Sequence, residues 1–463
     1  MKVYSSTKKI ELSIDPIEVF NKIRKVYKDS MLLEIDNSKI YIGFKAIGMF
    51  KVIGNAIILM HPHSTEIIKK DINSILSITD ELKNYIDSYT FIYNGEIENK
   101  QRLFGYCSYE SVQYFEQIRL TSTSKNIHSI PQIYYNFFKY IAEFDLKGDN
   151  TCNFTVNSSV PLSEEYDSII HKILFDKKLS EEPFSLIGSE TSNLTDIEFI
   201  DMVQRGKDNC QKGNVFQIVL SRQFSQAFIG DNFIVYKALR KINPSPYMYY
   251  FNYEDFEIFG ASPESQIKFQ NNEAIINPIA GTFLKSQDDK ENKKIAKALL
   301  NDLKENAEHI MLVDLARNDL SRNSNSVVVK KYREVHQYSH VMHLVSEVVG
   351  TITDINNYIH ILADTFPAGT LSGAPKYKAM QLIDQIENQA RGAYGGCIGY
   401  ITFSKELNHA IMIRTIISKD HHLYYQAGAG IVSKSNKEAE LQEVNNKLAA
   451  IRASINRAIN VNQ

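Results

Sequence analysis

The stretch QAGAGIVSKSNKEAELQEVNNKLAAI, residues 426–451, decides how the whole chain is interpreted. It places a small-residue turn pattern at 428–430 just before a helical pattern that carries Glu440, Glu443 and Lys447. The spacing i, i+3 and i+7 puts these three side chains on one face of a helix. Two carboxylates on one face suit a divalent cation, and the amides of a Gly-Ala-Gly turn suit an anion. Taken alone, the pattern is better explained by a solvated helix face with an i,i+4 Glu–Lys pair.

Composition excludes several classes of protein. The chain has 463 residues, of which 43% are hydrophobic and 23% charged, and its formal net charge is -2. This balance gives no electrostatic reason to expect nucleic acid or an anionic membrane as a partner. No segment has the apolar length of a membrane span, and the N-terminus has no apolar signal core, so we expect a cytoplasmic protein. The four cysteines are far apart, which predicts reduced thiols without a disulfide framework or a zinc site.

Strand patterns dominate the chain. Thr195 or Asp196 is a candidate cap for the helix DIEFIDMVQRGKDNCQK, and KYKAMQLIDQIEN predicts an amphipathic helix. The stretch KENKKIAKALLNDLKENAEHIMLVDLARNDL predicts one or two helices, broken near its polar middle. The strand patterns, rich in β-branched and aromatic residues, are KIYIGFKAIGMFKVIGNAIILM, NVFQIVLSRQF, YMYYFNY, FEIFGAS, EAIINPIAG, GGCIGYITFS and AIMIRTIISKD.

The way these patterns are connected predicts the fold class. A polar stretch at 177–196 is a candidate connection between an N-terminal and a C-terminal part. Hairpin-linked strands outnumber regular alternations of strand and helix on both sides of it. We therefore expect an α+β protein with large antiparallel β-sheets rather than a Rossmann fold.

A second acidic pattern lies in the middle of the chain. Glu305 and Glu308, the latter in AEHIMLVDLARNDLSR, are again i and i+3 on a predicted helix. If Glu308 faced Glu443, oxygen ligands from two helices and a substrate would form an open magnesium site. Taken alone, this stretch is better explained as surface acid.

Three further stretches place small or polar groups where a ligand can approach. The loop around Thr370 in DTFPAGTLSGAPKYKAM offers hydroxyls and amides to a ligand oxygen, or is simply a tight connector. Tyr394 lies beside consecutive glycines, and Gly281 with Thr282 ends the strand INPIAGTF. Arg414 falls within an apolar strand pattern, where an unpaired guanidinium is destabilising, so it requires a buried acid partner or an anionic ligand.

The stretches AEHIMLVDLARNDLSR, FPAGTLSGAPKYKAM, AYGGCIGY, IRT and QAGAGIV, in this order, resemble the chorismate-utilising enzymes, and among them the large subunits of anthranilate synthases most. The resemblance is strong over 195–452 and also touches MLLEIDNSKIYIGF and FGYCSYESVQYFEQ. It implies large antiparallel β-sheets packed face to face with helices on the outside. It also implies an N-terminal regulatory region at 1–190 and a chorismate-binding catalytic domain at 191–463.

The resemblance implies roles for individual residues. Mg²⁺ is the implied cofactor, held by Glu308 and Glu443, with Glu305 and Glu440 as alternative or supporting ligands. His343 in YSHVMHLVSE matches the general acid that protonates the departing hydroxyl, and Thr370 matches a threonine near the reacting ring. The implied substrate-binding residues are Gly281, Thr282, Tyr394, Arg414, Gly428, Ala429, Gly430 and Lys447.

Two positions select among the reactions of this family. Gln217 stands where water-adding members are expected to have a lysine base, and an amide cannot act as a base. Ala280 stands in PIAGT where many aminodeoxychorismate synthases have a nucleophilic lysine. Ammonia therefore remains as the nucleophile, with anthranilate and pyruvate as products. The alternatives are an aminodeoxychorismate synthase subunit and a catalytically silent chorismate-binding paralogue.

The resemblance also predicts partners and regulation. The chain has no cysteine in a GxCxGxQ-like elbow, so we expect ammonia from solution or from a glutamine amidotransferase subunit in a hetero-oligomer. The tryptophan inhibitor site of the family corresponds to Glu34 in LLEI and to Pro246, Tyr247 and Met248 in PSPYM. Because Ile35 replaces the usual serine, we expect tryptophan inhibition to be weakened or absent.

Overall fold

Two long strands, Lys39–Ile53 and Ile133–Asp145, join the two sheets of this protein. They pair antiparallel along almost their whole length, with one register shift in the middle. The first half of Lys39–Ile53 pairs with Asp29–Ile35 and its second half with Ala56–Met60, so the strand belongs to both sheets. The computed structural model describes residues 1–11, 15–64, 67–72, 77–93, 100–121, 129–147, 151–161, 182–286, 288–337 and 341–460.

The described residues form the following elements. The strands are β1 Lys2–Glu11, β2 Asp29–Ile35, β3 Lys39–Ile53, β4 Ala56–Met60, β5 Ile68–Asp71, β6 Thr90–Tyr93, β7 Arg102–Cys107, β8 Ile133–Asp145, β9 Thr151–Ser158, β10 Ser185–Ser192, β11 Gln217–Ile229, β12 Tyr247–Tyr253, β13 Glu257–Ser262, β14 Ser265–Gln270, β15 Glu273–Ile276, β16 Ile279–Leu284, β17 Ser326–Gln337, β18 Val341–Thr351, β19 Gly373–Ala374, β20 Cys397–Thr402, β21 Leu407–Ile411, β22 Thr415–Lys419 and β23 His422–Val432. The helices are α1 Pro16–Val26, α2 Ile78–Asp87, α3 Asp196–Gln211, α4 Phe233–Ile242, α5 Asp289–Asn301, α6 Leu303–Ser321, α7 Tyr358–Thr365, α8 Gly369–Ser372, α9 Lys376–Ile386 and α10 Lys437–Asn460, with 3₁₀ turns at Tyr109–Tyr114 and Ile355–Asn357.

Both sheets are almost entirely antiparallel. The first has the order β10-β11-β23-β22-β13-β12-β2-β3-β8-β9-β1-β6, in which only the β1–β6 pair is parallel among the described strands. The second has the order β5-β4-β3-β8-β7-β20-β21-β14-β15-β18-β17, and β16 pairs with β18 beyond the end of β15. The expected α+β class with large antiparallel sheets is therefore confirmed.

The burial of β2 explains how the layers pack. Along DSMLLEI, Met31 and Leu33 point into a cluster that also contains Phe104 and Ile398 from the second sheet. Leu32, on the other face of the same strand, packs in a cluster with residues of α1, α3, α4, α9 and α10. A third cluster joins the second sheet to α2, α6 and α7. The two sheets therefore pack face to face with helices outside, as expected.

Both sheets are continuous across the two predicted regions, because one block of N-terminal strands pairs with one block of C-terminal strands in each. β2 pairs with β12 in the first sheet, and β7 pairs with β20 in the second. The division at residue 190 remains a prediction. The polar stretch 177–196 is in part a strand, because 185–192 forms β10 at the edge of β11, while 177–181 lies outside the described residues.

The predicted helices are present in the structure, which also shows where each of them begins and ends. The long polar stretch forms two helices, α5 and α6, separated at Asp302. α3 begins after Thr195, whose hydroxyl accepts the N–H of Glu198 at 3.2 Å, while the Glu198 carboxylate accepts the N–H of Thr195 at 2.7 Å. Across the described part of the chain, no helix is both long and apolar enough to cross a lipid bilayer.

Removal of the Thr195 hydroxyl is expected to loosen the start of α3. Thr195→Ala leaves the first-turn amides without an acceptor, which costs about 1 kcal/mol of stability. Hydrogen exchange at the Glu198 amide should accelerate, and the urea midpoint should fall. Thr195→Ser keeps the hydroxyl and is the matched control. Equal exchange in both variants would show that the cap does not stabilise the helix.

Candidate active site

Residues 428–430 lie in β23, so the expected Gly-Ala-Gly turn is wrong. β23 pairs with β11 along its whole length, whereas its pairing with β22 ends at Tyr425. Beyond Tyr425 the second edge of β23 has no strand partner among the described residues. The turn prediction failed because glycines in a strand also allow a ligand or a side chain to approach the backbone closely, and local sequence does not separate the two cases.

Hydrogen bonds on β11 show which way the glycine backbone points. Ser221 lies opposite Gly428, and its N–H donates to Glu387 Oε1 at 2.8 Å, away from β23. Directly opposite residues of an antiparallel pair either exchange both hydrogen bonds or both point outward. The N–H and C=O of Gly428 therefore point to the open edge, and by alternation so do those of Gly430. Ala429 lies between them and is buried.

Two side chains close over these glycines. A Cβ atom at Gly428 would lie 2.7 Å from the Tyr394 hydroxyl, and one at Gly430 would lie 2.4 Å from Gln217 Nε2. A side chain at Gly428 would also lie 2.8 Å from the carbonyl oxygen of Leu220, so this position is restricted to glycine, whereas at Gly430 the Gln217 side chain would have to move. Burial raises the pKa of Tyr394, the positive charge of Arg391 lowers it, the charges of Glu387 and Glu443 raise it, and a hydrogen bond from the backbone of Gly428 lowers it. The phenol stays protonated and able to donate to an anion.

The C-terminal helix α10 contacts the same edge through Lys447. Its Nζ donates to the carbonyl oxygen of Gly428 at 2.9 Å and lies 2.7 Å from Glu443 Oε1. The i,i+4 Glu–Lys pair named as the simpler explanation is therefore present. Both side chains are nearly half exposed, at 49% and 44%, so the pair contributes little stability by itself. Glu440, one turn earlier, is buried.

Helix α6 brings the second set of carboxylates to this edge. Gln217, which covers Gly430, donates from Nε2 to Glu308 Oε1 at 3.4 Å. Glu305 lies beside Gly281, where an added Cβ would be 3.3 Å from its Oε2 and where φ is +67°. Thr282 follows in β16, and its side chain lies outside the described part of the structure.

The carboxylates of Glu308 and Glu443 fit a magnesium ion by their chemistry. Glu308 accepts from Gln217, which covers Gly430, and Glu443 pairs with Lys447, which donates to the carbonyl oxygen of Gly428. No group of three His, Cys, Asp or Glu side chains suited to a metal occurs among the described residues. Mg²⁺ commonly uses only one or two carboxylates and takes its other ligands from substrate and water.

His343 on β18 forms a hydrogen bond with the backbone of Gly281. Its Nδ1 lies 2.6 Å from the carbonyl oxygen of Gly281. Because a carbonyl only accepts, Nδ1 carries the proton and Nε2 is the basic nitrogen of the neutral ring. Burial lowers the pKa of His343, the Gly281 contact raises it, and the charge of Arg414 lowers it further. A neutral ring suits a proton acceptor.

Arg414 does not lie within a strand, which corrects the prediction. β21 ends at Ile411 and β22 begins at Thr415, and Arg414 has φ +50° in the break between them. The strand is interrupted because Met412 bonds back to the turn that contains Gly395 and Gly396.

The guanidinium of Arg414 is available to an anion. Nη1 donates to Asn243 Oδ1 at 3.3 Å, and Arg414 forms no ion pair with any described carboxylate. Burial lowers its pKa, and the charge of Glu264 opposes that shift. A guanidinium in this state favours an anionic ligand, which is one of the two partners expected from the sequence.

Glu264 is a site residue that the sequence analysis missed. It lies in the short connection between β13 and β14, and its Oε1 accepts from the hydroxyl of Thr370 at 3.1 Å. Burial raises the pKa of Glu264 to about 7, although the Thr370 hydrogen bond and the charges of Lys447 and Arg414 lower it. A carboxyl that titrates near neutrality is suited to proton transfer. Nothing in ASPESQ marks it, because only tertiary packing encloses the side chain.

Arg391 connects elements around the site through hydrogen bonds, and the sequence analysis did not identify it. Its guanidinium donates to both carboxylate oxygens of Glu387, at 2.9 and 2.6 Å. It also donates to the carbonyl oxygens of Leu371 and Val219, each at 2.7 Å. These four bonds join α9, the turn that contains Thr370, and β11. The sequence signal was the i,i+4 spacing of Glu and Arg, which is common on exposed helices as well.

The four residues of the expected inhibitor site lie close together, but the carboxylate of Glu34 already accepts hydrogen bonds from other side chains of the protein. Met248 lies opposite Glu34 in the β2–β12 pair, next to Tyr247 and Pro246. Glu34 accepts two bonds from Arg240 Nε, at 2.8 and 3.0 Å, and one from Arg240 Nη2 at 2.8 Å. A fourth comes from the hydroxyl of Tyr236 at 2.8 Å. Both carboxylate oxygens are therefore satisfied within the protein.

Comparison with known proteins identifies the family of this chain. A family model described as chorismate binding enzyme matches residues 61–453, which is most of the chain. The chain therefore belongs to the chorismate binding enzymes. It is an enzyme of that family.

Individual relatives are more specific. Anthranilate synthase component 1 of Aquifex aeolicus (strain VF5) is 38% identical over 371 residues, which is 76% of this chain and 74% of that protein. The protein of the same name from Geobacillus stearothermophilus is 45% identical over 279 residues, 60% of this chain and 55% of that protein. The crystal structure of anthranilate synthase component I from Streptococcus pneumoniae TIGR4 has a TM-score of 0.72 at 31% identity and covers 90% of this chain and 92% of its own. The menaquinone-specific isochorismate synthase from Escherichia coli, at 17% identity and TM-score 0.75, has the same fold; that match covers 98% of this chain and 94% of its own.

Tryptophan is expected to bind weakly or not at all, because the Glu34 carboxylate is occupied by Arg240 and Tyr236. Titration calorimetry should give a dissociation constant weaker than about 1 mM. Ile35→Ser restores the hydroxyl without releasing Glu34 and should not restore binding. Micromolar binding to the unmodified chain would contradict the prediction. Micromolar binding only after Ile35→Ser would assign the loss to Ile35 rather than to Glu34.

Proposed function

We propose that this chain is the synthase subunit of an anthranilate synthase. It converts chorismate and ammonia into anthranilate, pyruvate and water, with Mg²⁺ as cofactor. The relatives named anthranilate synthase component 1 support this assignment over most of the chain.

The observation that carries the proposal is the absence of a lysine at two positions of the site. Gln217 spans Gly430 and Glu308 and donates from its amide, so it cannot take a proton from water. Ala280 is buried in β16 opposite Leu344 and has no nucleophile. Because neither position carries the lysine that water addition or covalent attack would use, ammonia is the group that attacks the ring.

The two carboxylates of chorismate have complementary positions in the site. Tyr394, Arg414 and the outward N–H groups of Gly428 and Gly430 hold the enolpyruvyl carboxylate, since all of them donate hydrogen bonds. Glu308 and Glu443 would hold Mg²⁺ against the ring carboxylate. When bound, the ion offsets the charge of that carboxylate and fixes its orientation.

Proton transfers are assigned from the pKa directions. Glu264, with its pKa raised to about 7, donates to the departing 4-hydroxyl, which leaves as water while ammonia forms the bond to C2, and the Glu264 carboxylate then takes one proton from the new ammonium group. His343 accepts the C2 proton through Nε2 as the enolpyruvyl ether bond breaks, because its lowered pKa favours the neutral ring, and that proton passes to the departing enolpyruvate to give pyruvate. This assignment gives His343 a different role from the general acid implied by the resemblance.

The ammonia comes from outside this chain. Cys107, Cys152 and Cys397 are buried, and burial raises the pKa of Cys210 to about 11, so no cysteine is activated to hydrolyse glutamine. A separate glutamine amidotransferase subunit in a cytoplasmic hetero-oligomer is the proposed source.

The activity test uses chorismate, ammonium and Mg²⁺ with the purified chain, following anthranilate fluorescence and pyruvate release. Equal amounts of both products, lost on addition of EDTA, are expected. Consumption of chorismate without pyruvate release would instead indicate an aminodeoxychorismate synthase, and no consumption would indicate a silent paralogue.

Removal of either proposed metal ligand should weaken the response to Mg²⁺. Glu443→Gln and Glu308→Gln are each expected to raise the Mg²⁺ concentration for half-maximal rate by at least about tenfold. Glu438→Gln, an exposed carboxylate on the same helix as Glu443, is the control and should leave it unchanged. An unchanged Mg²⁺ response in the Glu443 and Glu308 variants would remove these residues from the metal site.

The pH profile tests Glu264. A proton donor acts only while protonated, so kcat/KM for chorismate should fall as pH rises through about 7, measured at a fixed concentration of neutral ammonia. Glu264→Gln should remove this limb and lower the rate by about 10²- to 10⁴-fold. Glu438→Gln again serves as control. A limb that persists in the Glu264 variant would assign the titration to another group.

A further inference from the structure

Tyr394 lies in a short turn at residues 391–396. The N–H of Tyr394 donates to the carbonyl oxygen of Arg391 at 3.2 Å. Gly392 and Gly395, on either side of this stretch, have φ values of +60° and +77°. Because glycine adopts many backbone conformations, the residues of the turn do not fix its shape by themselves, and contacts from other elements have to do so.

The carboxylate of Glu110 contacts the start of this turn. Glu110 lies in the 3₁₀ turn that follows β7 and is only 1% exposed. Its Oε1 accepts the N–H of Arg391 at 2.8 Å and that of Gly392 at 3.2 Å, while its Oε2 accepts the N–H of Gly392 at 3.1 Å. The N–H of Tyr109 donates to the carbonyl oxygen of Gly392 at 2.9 Å. Two consecutive residues therefore bind the N–H and the carbonyl group of Gly392.

The contact with Glu110 reaches Tyr394 through a single peptide group. The N–H of Gly392 and the carbonyl of Arg391 belong to the same planar peptide, so fixing the direction of one fixes the direction of the other. That carbonyl is the group that accepts the N–H of Tyr394. Rotation of this peptide would break the bond to Tyr394 and release its phenol from the backbone of Gly428.

Two other contacts of the turn act on different groups. The guanidinium of Arg391 is bound by Glu387, but those bonds hold the side chain and not the peptide that follows it. The backbone of Met412 binds the far end of the turn. The orientation of the peptide between Arg391 and Gly392 therefore depends on Glu110.

We propose that Glu110 is a positioning residue for chorismate binding, which holds the phenol of Tyr394 over Gly428 by fixing the peptide between Arg391 and Gly392. The hydroxyl is then in place before chorismate arrives, and binding does not have to order the turn. Glu110 belongs to the predicted N-terminal region, so that region contributes to the site without touching substrate. The inference rests on the chorismate site of the proposed function, in which Tyr394 donates to the enolpyruvyl carboxylate.

The binding test is a double-variant cycle of Glu110→Leu and Tyr394→Phe. The dissociation constant of chorismate is measured by titration calorimetry with Mg²⁺ and without ammonium, so that no amination occurs. Each single change should raise the constant by about tenfold, the loss of one hydrogen bond, and the double variant should also be about tenfold weaker instead of about a hundredfold. The effects should not multiply because Glu110 acts through the hydroxyl that Tyr394→Phe removes. Multiplied effects, or no effect of Glu110→Leu, would overturn the proposal.

Further variants separate positioning from general stability. Glu110→Gln keeps Oε1 as an acceptor for both N–H groups and should bind chorismate within about twofold of the unmodified chain. Glu116→Leu removes a carboxylate that pairs with Arg322, and as the control it should leave binding unchanged. Weakening by Glu110→Gln as large as that by Glu110→Leu would contradict the positioning role, because it would show that the charge and not the hydrogen bonds is needed. If Glu110→Leu does not fold, Glu110→Asp serves in the same cycle, since its shorter side chain cannot bind both N–H groups unless the peptide moves.

Chorismate binding separates this inference from the proposed function, because it does not depend on which product is formed. A non-additive cycle in a chain that makes no anthranilate would support the role of Glu110 and contradict the proposed function. Anthranilate synthesis by a chain in which the two effects multiply would contradict the role of Glu110 alone.

Discussion

The buried ion pair between Glu387 and Arg391 is the interaction on which the candidate site depends. Their side chains are only 5% and 1% exposed, and the guanidinium uses its other donors on the backbone of β11 and of the Thr370 turn. Glu387 in turn accepts the N–H of Ser221, which turns that group away from β23. Loss of one partner of such a pair leaves an uncompensated buried charge and costs about 3–5 kcal/mol. This ion pair therefore holds together the end of α9, the turn that contains Thr370, and β11.

The break between β21 and β22 explains why the glycine edge can stay open. A strand edge with unpaired N–H groups normally recruits another strand or is covered. Here β22 leaves β23 at Tyr425, and the chain that would have continued the pairing turns aside at Arg414 with φ +50°. In the proposed function, the outward amides of Gly428 and Gly430 would face a carboxylate of the substrate, with Arg414 as its countercharge. The break in the sheet would then also be what opens the binding site.

Sequence patterns predicted the features that depend on residues close in the chain, and they missed the features that depend on tertiary packing. Ordered motifs gave the family, the α+β class and the helix α3 with its Thr195 cap. The glycines at 428–430 were placed in a turn because turn and open strand edge share a composition. Arg414 was placed in a strand because its neighbours are apolar. Glu264 carries no periodic or motif signal, since a carboxylate becomes unusual only when tertiary contacts remove its water.

The choice of nucleophile then follows from what surrounds each face of the ring site. On the face next to β23, Gln217 donates to Glu308, so its amide reinforces a metal ligand instead of activating water. On the face next to β14, Glu264 accepts the hydroxyl of Thr370, and its pKa, raised to about 7, suits it to donate a proton to the leaving group. Neither face offers the lysine that water addition or covalent attack would use at residues 217 and 280. In the proposed reaction the nucleophile is therefore ammonia, and the side chains around the ring serve to hold the substrate and to move protons.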